Sequence, residues 1–290
     1  MIGNNKVIIT GAYGMLGSSL TETLGKKNVL SFSSSDLDIT NRAQVKEVLT
    51  LIKPNIIIHT AAFTNVELCE IEIEKAYKVN AIGTQNLVDY CIDKSVLFIY
   101  ISSTGIYGCE NEVKPYIEFD DVNPTTIHHK SKLSGEQIVK NHLDKFLILR
   151  TGWLYGGRRE SHKNFVYKRF LEGSKNSRIF SNPYQIGNPT YVENLVKQIE
   201  LLISENVFGI FNCVDKAYNV SRYDYVKKII EYFELPTNVQ IAPKDMFKRV
   251  APVSKNESAI NFKLDLLKLN IMKDWESSLE EYINILKANE

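Results

Sequence analysis

Ser103, His128 and Lys132 are the side chains of this 290-residue sequence whose types and order fit the reduction of a carbonyl. Ser103 lies in the run Ile101-Ser102-Ser103-Thr104-Gly105-Ile106-Tyr107-Gly108, a hydroxyl cluster just past an apolar stretch. A hydroxyl there can hydrogen-bond a carbonyl oxygen and polarise it for hydride attack, or it can simply close a serine/threonine turn. His128 follows 25 residues later, and Lys132 stands four positions further on, so a helix would point both the same way. Hydride transfer to carbon needs a proton for oxygen, and a lysine beside the donor can hold ribose hydroxyls and tune its neighbour electrostatically.

The hydride source is suggested by Val7-Ile8-Ile9-Thr10-Gly11-Ala12-Tyr13-Gly14-Met15-Leu16-Gly17. A buried strand runs into three glycines spaced by three, and a helical pattern follows. Glycines let the backbone approach a pyrophosphate, and the helix N-terminus offers free N–H groups with a partial positive charge. Gly11, Tyr13, Gly14, Met15, Leu16 and Gly17 are therefore candidate dinucleotide contacts. Asp38, with Ile39 beside it, sits about twenty residues past the loop; its carboxylate could take a ribose or adenine group, or cap the helix before Arg42. Ser33-Ser34-Ser35 puts hydroxyls and no arginine at the ribose edge, which leaves NAD and NADP both open. Ala61, Ala62 and Phe63 follow the third apolar run, where small residues let a chain lie against a cofactor. Asn80 is an amide inside an apolar helix; it needs partners and can brace neighbouring backbone or a water.

The elements that would position these residues alternate. Strands are expected at 6–10, 29–32, 55–59, 96–102 and 146–151, and helices near 15–26, 42–52, 70–93 and 125–142. Such alternation implies parallel strands with helical crossovers, an α/β doubly wound Rossmann-type sheet. Gly11, Asp38, Ala61, Ser103 and Trp153 all fall just past expected strand ends, where these sheets bind ligands. After Gly156 the alternation loosens, with helices near 164–172, 191–204, 221–233 and 275–287 and strands near 178–180 and 208–213. We expect a dinucleotide-binding domain over 1–155 and a mixed α/β substrate lobe over 156–290, some segments of which return to the core. No Gly/Ser- or Pro-rich spacer separates the halves.

Composition bounds the function classes. Lys+Arg 35 against Asp+Glu 34 gives no charge excess to favour a nucleic acid or an anionic membrane. The 44% hydrophobic fraction supplies a core, yet no apolar run reaches the length of a membrane span and no leader-like apolar stretch precedes the first strand. Cys69, Cys91, Cys109 and Cys213 lack metal-ligand spacing and read as reduced structural thiols, so a cytoplasmic chain without a metal is expected.

Matching segments run the length of the chain: Gly11–Gly17, Leu37-Asp38-Ile39-Thr40, Ala61-Ala62-Phe63-Thr64, Asn123-Pro124 and 130–136. They continue through Leu149-Arg150-Thr151-Gly152-Trp153-Leu154-Tyr155-Gly156, Asn164-Phe165 and Gln185-Ile186-Gly187-Asn188-Pro189-Thr190-Tyr191. On these the chain resembles an extended short-chain dehydrogenase/reductase, and within that group the dTDP-4-dehydrorhamnose reductases. The resemblance implies NAD(P)H-dependent reduction of the 4-keto group of a nucleotide-linked 6-deoxy sugar, by a monomer or homodimer serving polysaccharide precursor synthesis. It implies Ser103 as the carbonyl-binding hydroxyl and Lys132 as the cofactor-ribose lysine. Thr104, Trp153, Asn164 and Gln185 are then placed at the nucleotide sugar, the alternative for Trp153 being a core aromatic.

One position departs from the pattern. The family signature is Tyr-x-x-x-Lys with tyrosine as proton donor, and here it reads His128-x-x-x-Lys132. Imidazole is shorter than a phenol, and with an unperturbed pKa of about 6.5 it is mostly neutral at pH 7, more so beside an ammonium. Either His128, His129, Tyr107, Tyr116 or another group supplies the proton, or the chain is a nucleotide-binding regulatory or scaffold subunit that has lost fast reduction. An epimerase or dehydratase of the same superfamily would also need the tyrosine.

Overall fold

The computed structural model describes residues 5–25, 28–108, 114–159, 164–244 and 246–288. The first half reads β1 Val7–Thr10, α1 Met15–Leu24, β2 Val29–Phe32, α2 Arg42–Ile52, β3 Ile56–His59, α3 Val66–Ile71, α4 Ile73–Tyr77, a π-helical turn Lys78–Ile82 and α5 Gly83–Cys91. It continues with β4 Leu97–Ser103, a 3-10 turn Thr104–Ile106, α6 Ile127–His142, β5 Phe146–Thr151 and β6 Leu154–Tyr155. The second half holds α7 Phe165–Lys175, β7 Arg178–Ser181, β8 Thr190–Tyr191, α8 Val192–Ser204, β9 Gly209–Asn212, α9 Arg222–Tyr232, β10 Asn238–Ile241, α10 Phe262–Leu266 and α11 Trp275–Ala288.

Six parallel strands make the central sheet in the order β2-β1-β3-β4-β5-β9. The interior strands are apolar on both faces because both are covered. Ile9, Ile58, Ile99 and Leu149 pack under α1, α8 and α11 on one side. Ile8, Ile57, Phe98 and Ile148 pack under α2, α5 and α6 on the other. This is the doubly wound α/β fold the alternation implies. The chain runs outward from β1 to β2, then crosses back to β3 on the other side of β1, so strand order reverses between β1 and β3. That reversal opens a crevice at their carboxyl ends.

β9 pairs with β5 through Leu147↔Gly209 to Arg150↔Asn212, so a strand from the second half completes the first half's sheet. The remaining strands form two small parallel pairs, β7 with β10 and β6 with β8. β6, β8, β10 and α10 are not apparent in the sequence pattern: β6 and β8 are two residues long, too short for any periodicity.

The long helix expected over 70–93 is a correction. The segment breaks at Glu72, whose φ of -101° and ψ of 57° leave the helical region, and again at the π-helical turn. The turn allows Asn80 to reach across to Phe63, a contact that local periodicity does not encode. Cys69, Cys91 and Cys213 are buried free thiols, and Cys109 lies outside the described residues. Burial pushes the Cys69 and Cys91 thiols up to about 11 and about 12.

Candidate active site

A cavity of about 670 Å³ opens at the carboxyl ends of β1, β3, β4 and β5. Of the residues singled out above, Gly11, Tyr13, Gly14, Met15, Leu16, Gly17, Ser33, Asp38, Ile39, Ala61, Ala62, Ser103, His128, His129, Lys132, Trp153 and Gln185 line it.

Its first wall is backbone. Gly11 has φ +73°, and a Cβ there would meet Ala61 N at 2.7 Å; a Cβ on Gly17 would overlap the Gly11 carbonyl. Gly14 caps α1 without a side-chain acceptor, and no acidic residue stands in the first turn. The N–H groups of that turn therefore face the cavity as a ready anion site, which fits a dinucleotide's pyrophosphate. At the end of β2, Ser33 and Ser34 line the cavity. The Asp36 carboxylate is turned onto Ser33, accepting from its N and Oγ at 2.9 and 2.6 Å. Asp38 is exposed and accepts from Thr40 N at 2.9 Å. It does not cap α2; Asn41 does, accepting from Gln44 N at 3.2 Å.

The second wall is α6, held by Thr126, whose Oγ1 accepts from His129 N at 3.2 Å as its N-cap. His128, His129, Ser131, Lys132 and Glu136 share its buried face. A helix that buries so many polar groups must satisfy them from neighbouring elements. Arg150 of β5 donates to Glu136 from Nε at 3.1 Å and Nη2 at 2.9 Å, and from Nη1 to Tyr107 Oη at 3.1 Å. Tyr107 Oη in turn donates to Asn212 Oδ1 at 2.8 Å, and its ring stacks on Tyr116 at 4.7 Å. Both tyrosines are buried and neither lines the cavity.

Lys132 Nζ lies 3.9 Å over the Tyr100 ring, and burial lowers its pKa to about 7 against the pull of Glu136. Burial, then His129 and Lys132, lowers His128 to about 3. Ser103 Oγ accepts from Gly105 N at 3.2 Å, which leaves its own O–H to donate into the cavity. Beside it, the buried hydroxyls of Ser102 and Thr151 line the cavity with no partner among the described residues. Unpartnered buried hydroxyls at the ends of two adjacent strands call for a polar ligand.

The third wall holds the expected Trp153 and Gln185 together with Arg222, Arg249 and Glu257, which sequence reasoning missed. Trp153 holds φ +43°, a strained conformation for an aromatic residue that costs about 1–3 kcal/mol. It is clamped: its Nε1 donates to Glu257 at 2.9 Å and the Arg222 guanidinium lies 3.5 Å over its ring. Gly187 is required beside it, since a Cβ there would meet the indole. Burial raises the Glu257 pKa and lowers that of Arg222 to about 10. Arg249 joins this wall and pairs with Glu67 of α3 at 2.7 Å. These charges look like ordinary surface residues in the sequence; only the fold brings them to Trp153.

Four expected residues do not line the cavity. Asn80 stands behind it, accepting from Phe63 N at 2.8 Å and donating to Phe63 O at 3.1 Å and Ser131 Oγ at 2.9 Å. It braces backbone, as its burial demands. Phe63 offers its carbonyl to the His128 ring. Thr104 is buried behind Gly152. Asn164 is fully buried as the N-cap of α7, accepting from Tyr167 N at 3.1 Å and donating to Tyr282 Oη at 2.6 Å.

Residues 5–288 match the family model described as the RmlD substrate binding domain. The chain belongs to that family. A dTDP-4-dehydrorhamnose reductase of Aggregatibacter actinomycetemcomitans is 35% identical to this family member over 236 residues, 78% of each chain. A solved dTDP-4-dehydrorhamnose reductase from Clostridium acetobutylicum superposes with a TM-score of 0.92 at 34% identity, covering 97% of this chain and 99% of that one. One from Bacillus anthracis, in complex with NADP, gives 0.91 at 34% identity with the same coverage.

Proposed function

We propose that this family member reduces the 4-keto group of a dTDP-linked 6-deoxy sugar with NADPH or NADH. The observation that carries the reading is the single cavity onto which the glycine turn, Ser103, Lys132 and the clamped Trp153 converge. The division of labour follows the two halves of the chain: residues 1–155 supply the nucleotide side, and 156–290 supply the Gln185, Arg222 and Glu257 side. The names of the relatives, including a Streptomyces niveus dTDP-4-keto-6-deoxy-D-glucose reductase 30% identical over 242 residues, support the substrate class.

Bound along the glycine turn, a nicotinamide cofactor supplies hydride to the sugar carbon. The chain's own residues do the rest. The N–H groups of the α1 first turn hold the pyrophosphate. Ser103 donates to the carbonyl oxygen as negative charge grows there. Trp153, fixed by Glu257 and Arg222, gives the sugar ring an apolar face. Lys132 would hold the cofactor ribose. At that edge the Asp36 carboxylate already takes the N–H and O–H of Ser33, so a ribose 2′-group there would meet Ser34 beside a carboxylate.

Among the described residues no helix is long and apolar enough to cross a membrane. The test is cofactor oxidation by the purified protein with dTDP-4-keto-6-deoxy sugars, with an authentic reductase as control. Turnover supports the reading. Binding of NADPH and dTDP-sugar without turnover would make this a regulatory or scaffold subunit instead.

A further inference from the structure

α6 presents three nitrogen-bearing side chains to the cavity: His129, tied through Nδ1 to Thr126 Oγ1 at 3.0 Å, and, one turn apart, His128 and Lys132, whose surroundings differ. His128 Nδ1 lies 3.1 Å from the carbonyl oxygen of Phe63. A carbonyl only accepts, so Nδ1 carries the ring hydrogen, and in a neutral imidazole Nε2 then carries a lone pair. The carbonyl cannot follow another tautomer, because Asn80 grips Phe63 at both its N and its O. Burial keeps the ring neutral down to about pH 3. Toward a ligand, His128 is an acceptor with no proton to give.

Lys132 is the opposite case. Among the described residues no acceptor takes a hydrogen bond from its Nζ, which rests on the Tyr100 ring at 3.9 Å. The titratable groups around it are His59 at the end of β3, Tyr100 on β4, Arg150 on β5 acting through Glu136, and His128 and Glu136 on α6. Their balance with burial leaves it a pKa of about 7, the range in which a proton is both held and released at neutral pH.

Resting on the reductase reading, we propose that Lys132 is the proton donor of the reduction and that His128 is a positioning residue, an acceptor locked by the Phe63 carbonyl. Hydride adds to the carbonyl carbon and the C=O π pair moves onto oxygen. That oxygen takes a proton from Lys132 Nζ, directly or through one bridging water, which passes one hydrogen to the oxygen as it accepts one from Nζ and keeps its other hydrogen donated to His128 Nε2. The neutral amine regains its proton from solvent when product leaves. The replacement of the family's tyrosine thus moves the donor one helical turn along α6.

The test pairs a readout on the protein alone with a rate profile. In protein labelled with ¹⁵N-histidine, ring correlations assigned with H128N should show His128 as the Nδ1–H tautomer from about pH 5 to about pH 8. With NADPH and a 4-keto nucleotide sugar, kcat should fall as pH rises through about 7, because the required form of Lys132 is the ammonium. K132R, which does not titrate, should abolish that limb; H128N should leave its position unmoved; K132M should lower kcat by about 10²- to 10⁴-fold. An Nε2–H tautomer, or a limb that H128N moves and K132R does not, overturns the assignment while leaving the reductase reading intact. The Nδ1–H tautomer in a protein that turns over no 4-keto sugar overturns the reductase reading and the donor role with it.

Discussion

The glycine-turn wall and the α6 wall face each other across one cavity and are made of different material. The first is backbone: a left-handed Gly11, a side-chain-free approach at Gly17 and the open first turn of α1. The second is a buried lattice of side chains in which Asn80, Ser131, His128, Glu136 and Arg150 each satisfy another element. A backbone site needs only the right spacing of small residues. A side-chain lattice needs elements far apart in sequence to arrive together, and every partner it loses leaves a buried polar group behind.

The two walls should therefore fail in different ways. The largest effect expected is on the α6 side. Glu136→Ala strands the Arg150 guanidinium inside the protein and should cost about 3–5 kcal/mol in urea unfolding. Replacing both partners by methionine should recover most of that loss, because the cost lies in the orphaned charge. Gly17→Val acts on the other wall: its side chain must displace the Gly11 carbonyl, and NADPH affinity by calorimetry should fall at least about 100-fold, or about 2.7 kcal/mol. If Gly17→Val bound NADPH normally, the backbone wall would not be the cofactor site.

Asn80→Ala sharpens the contrast. It touches no cavity surface, yet it removes the grip on Phe63 and leaves buried backbone groups unpaired, at about 1–3 kcal/mol. Its further signature should be a mixed His128 tautomer in ring ¹⁵N spectra, since the carbonyl that dictates it is released. A stability loss with an unchanged tautomer would mean that Phe63 is held by something else. The smallest effect is expected at the edge of the glycine wall. Ser34→Arg should raise the NADPH-to-NADH ratio of kcat/KM by about tenfold by giving a 2′-phosphate a cation.

The same difference in material decides what could be read from the sequence. Apolar runs and glycine spacing report the backbone wall directly, and the doubly wound sheet follows from strand and helix periods. The expected helix over 70–93 hid the π-helical turn because the reason for it, the reach of Asn80 to Phe63, lies seventeen residues away. Tyr107 and Tyr116 have the right chemistry for proton donation, but the Arg150 network and their mutual stacking keep them inside. Asn164 reads as a polar residue in a matching motif, and the fold spends it on capping α7. Arg222 and Glu257 are ordinary charges until α9 and the segment before α10 bring them onto Trp153.

The measurement that bears most directly on the account is isotope transfer. The protein is supplied with NADPH deuterated at nicotinamide C4, on each face in turn, together with a dTDP-4-keto-6-deoxy sugar, and the product is read by NMR. One deuterium is expected at sugar C4 from one of the two faces, with stoichiometric oxidised cofactor. A product without deuterium from both labelled cofactors, or no product from a protein shown to bind both ligands, would contradict that.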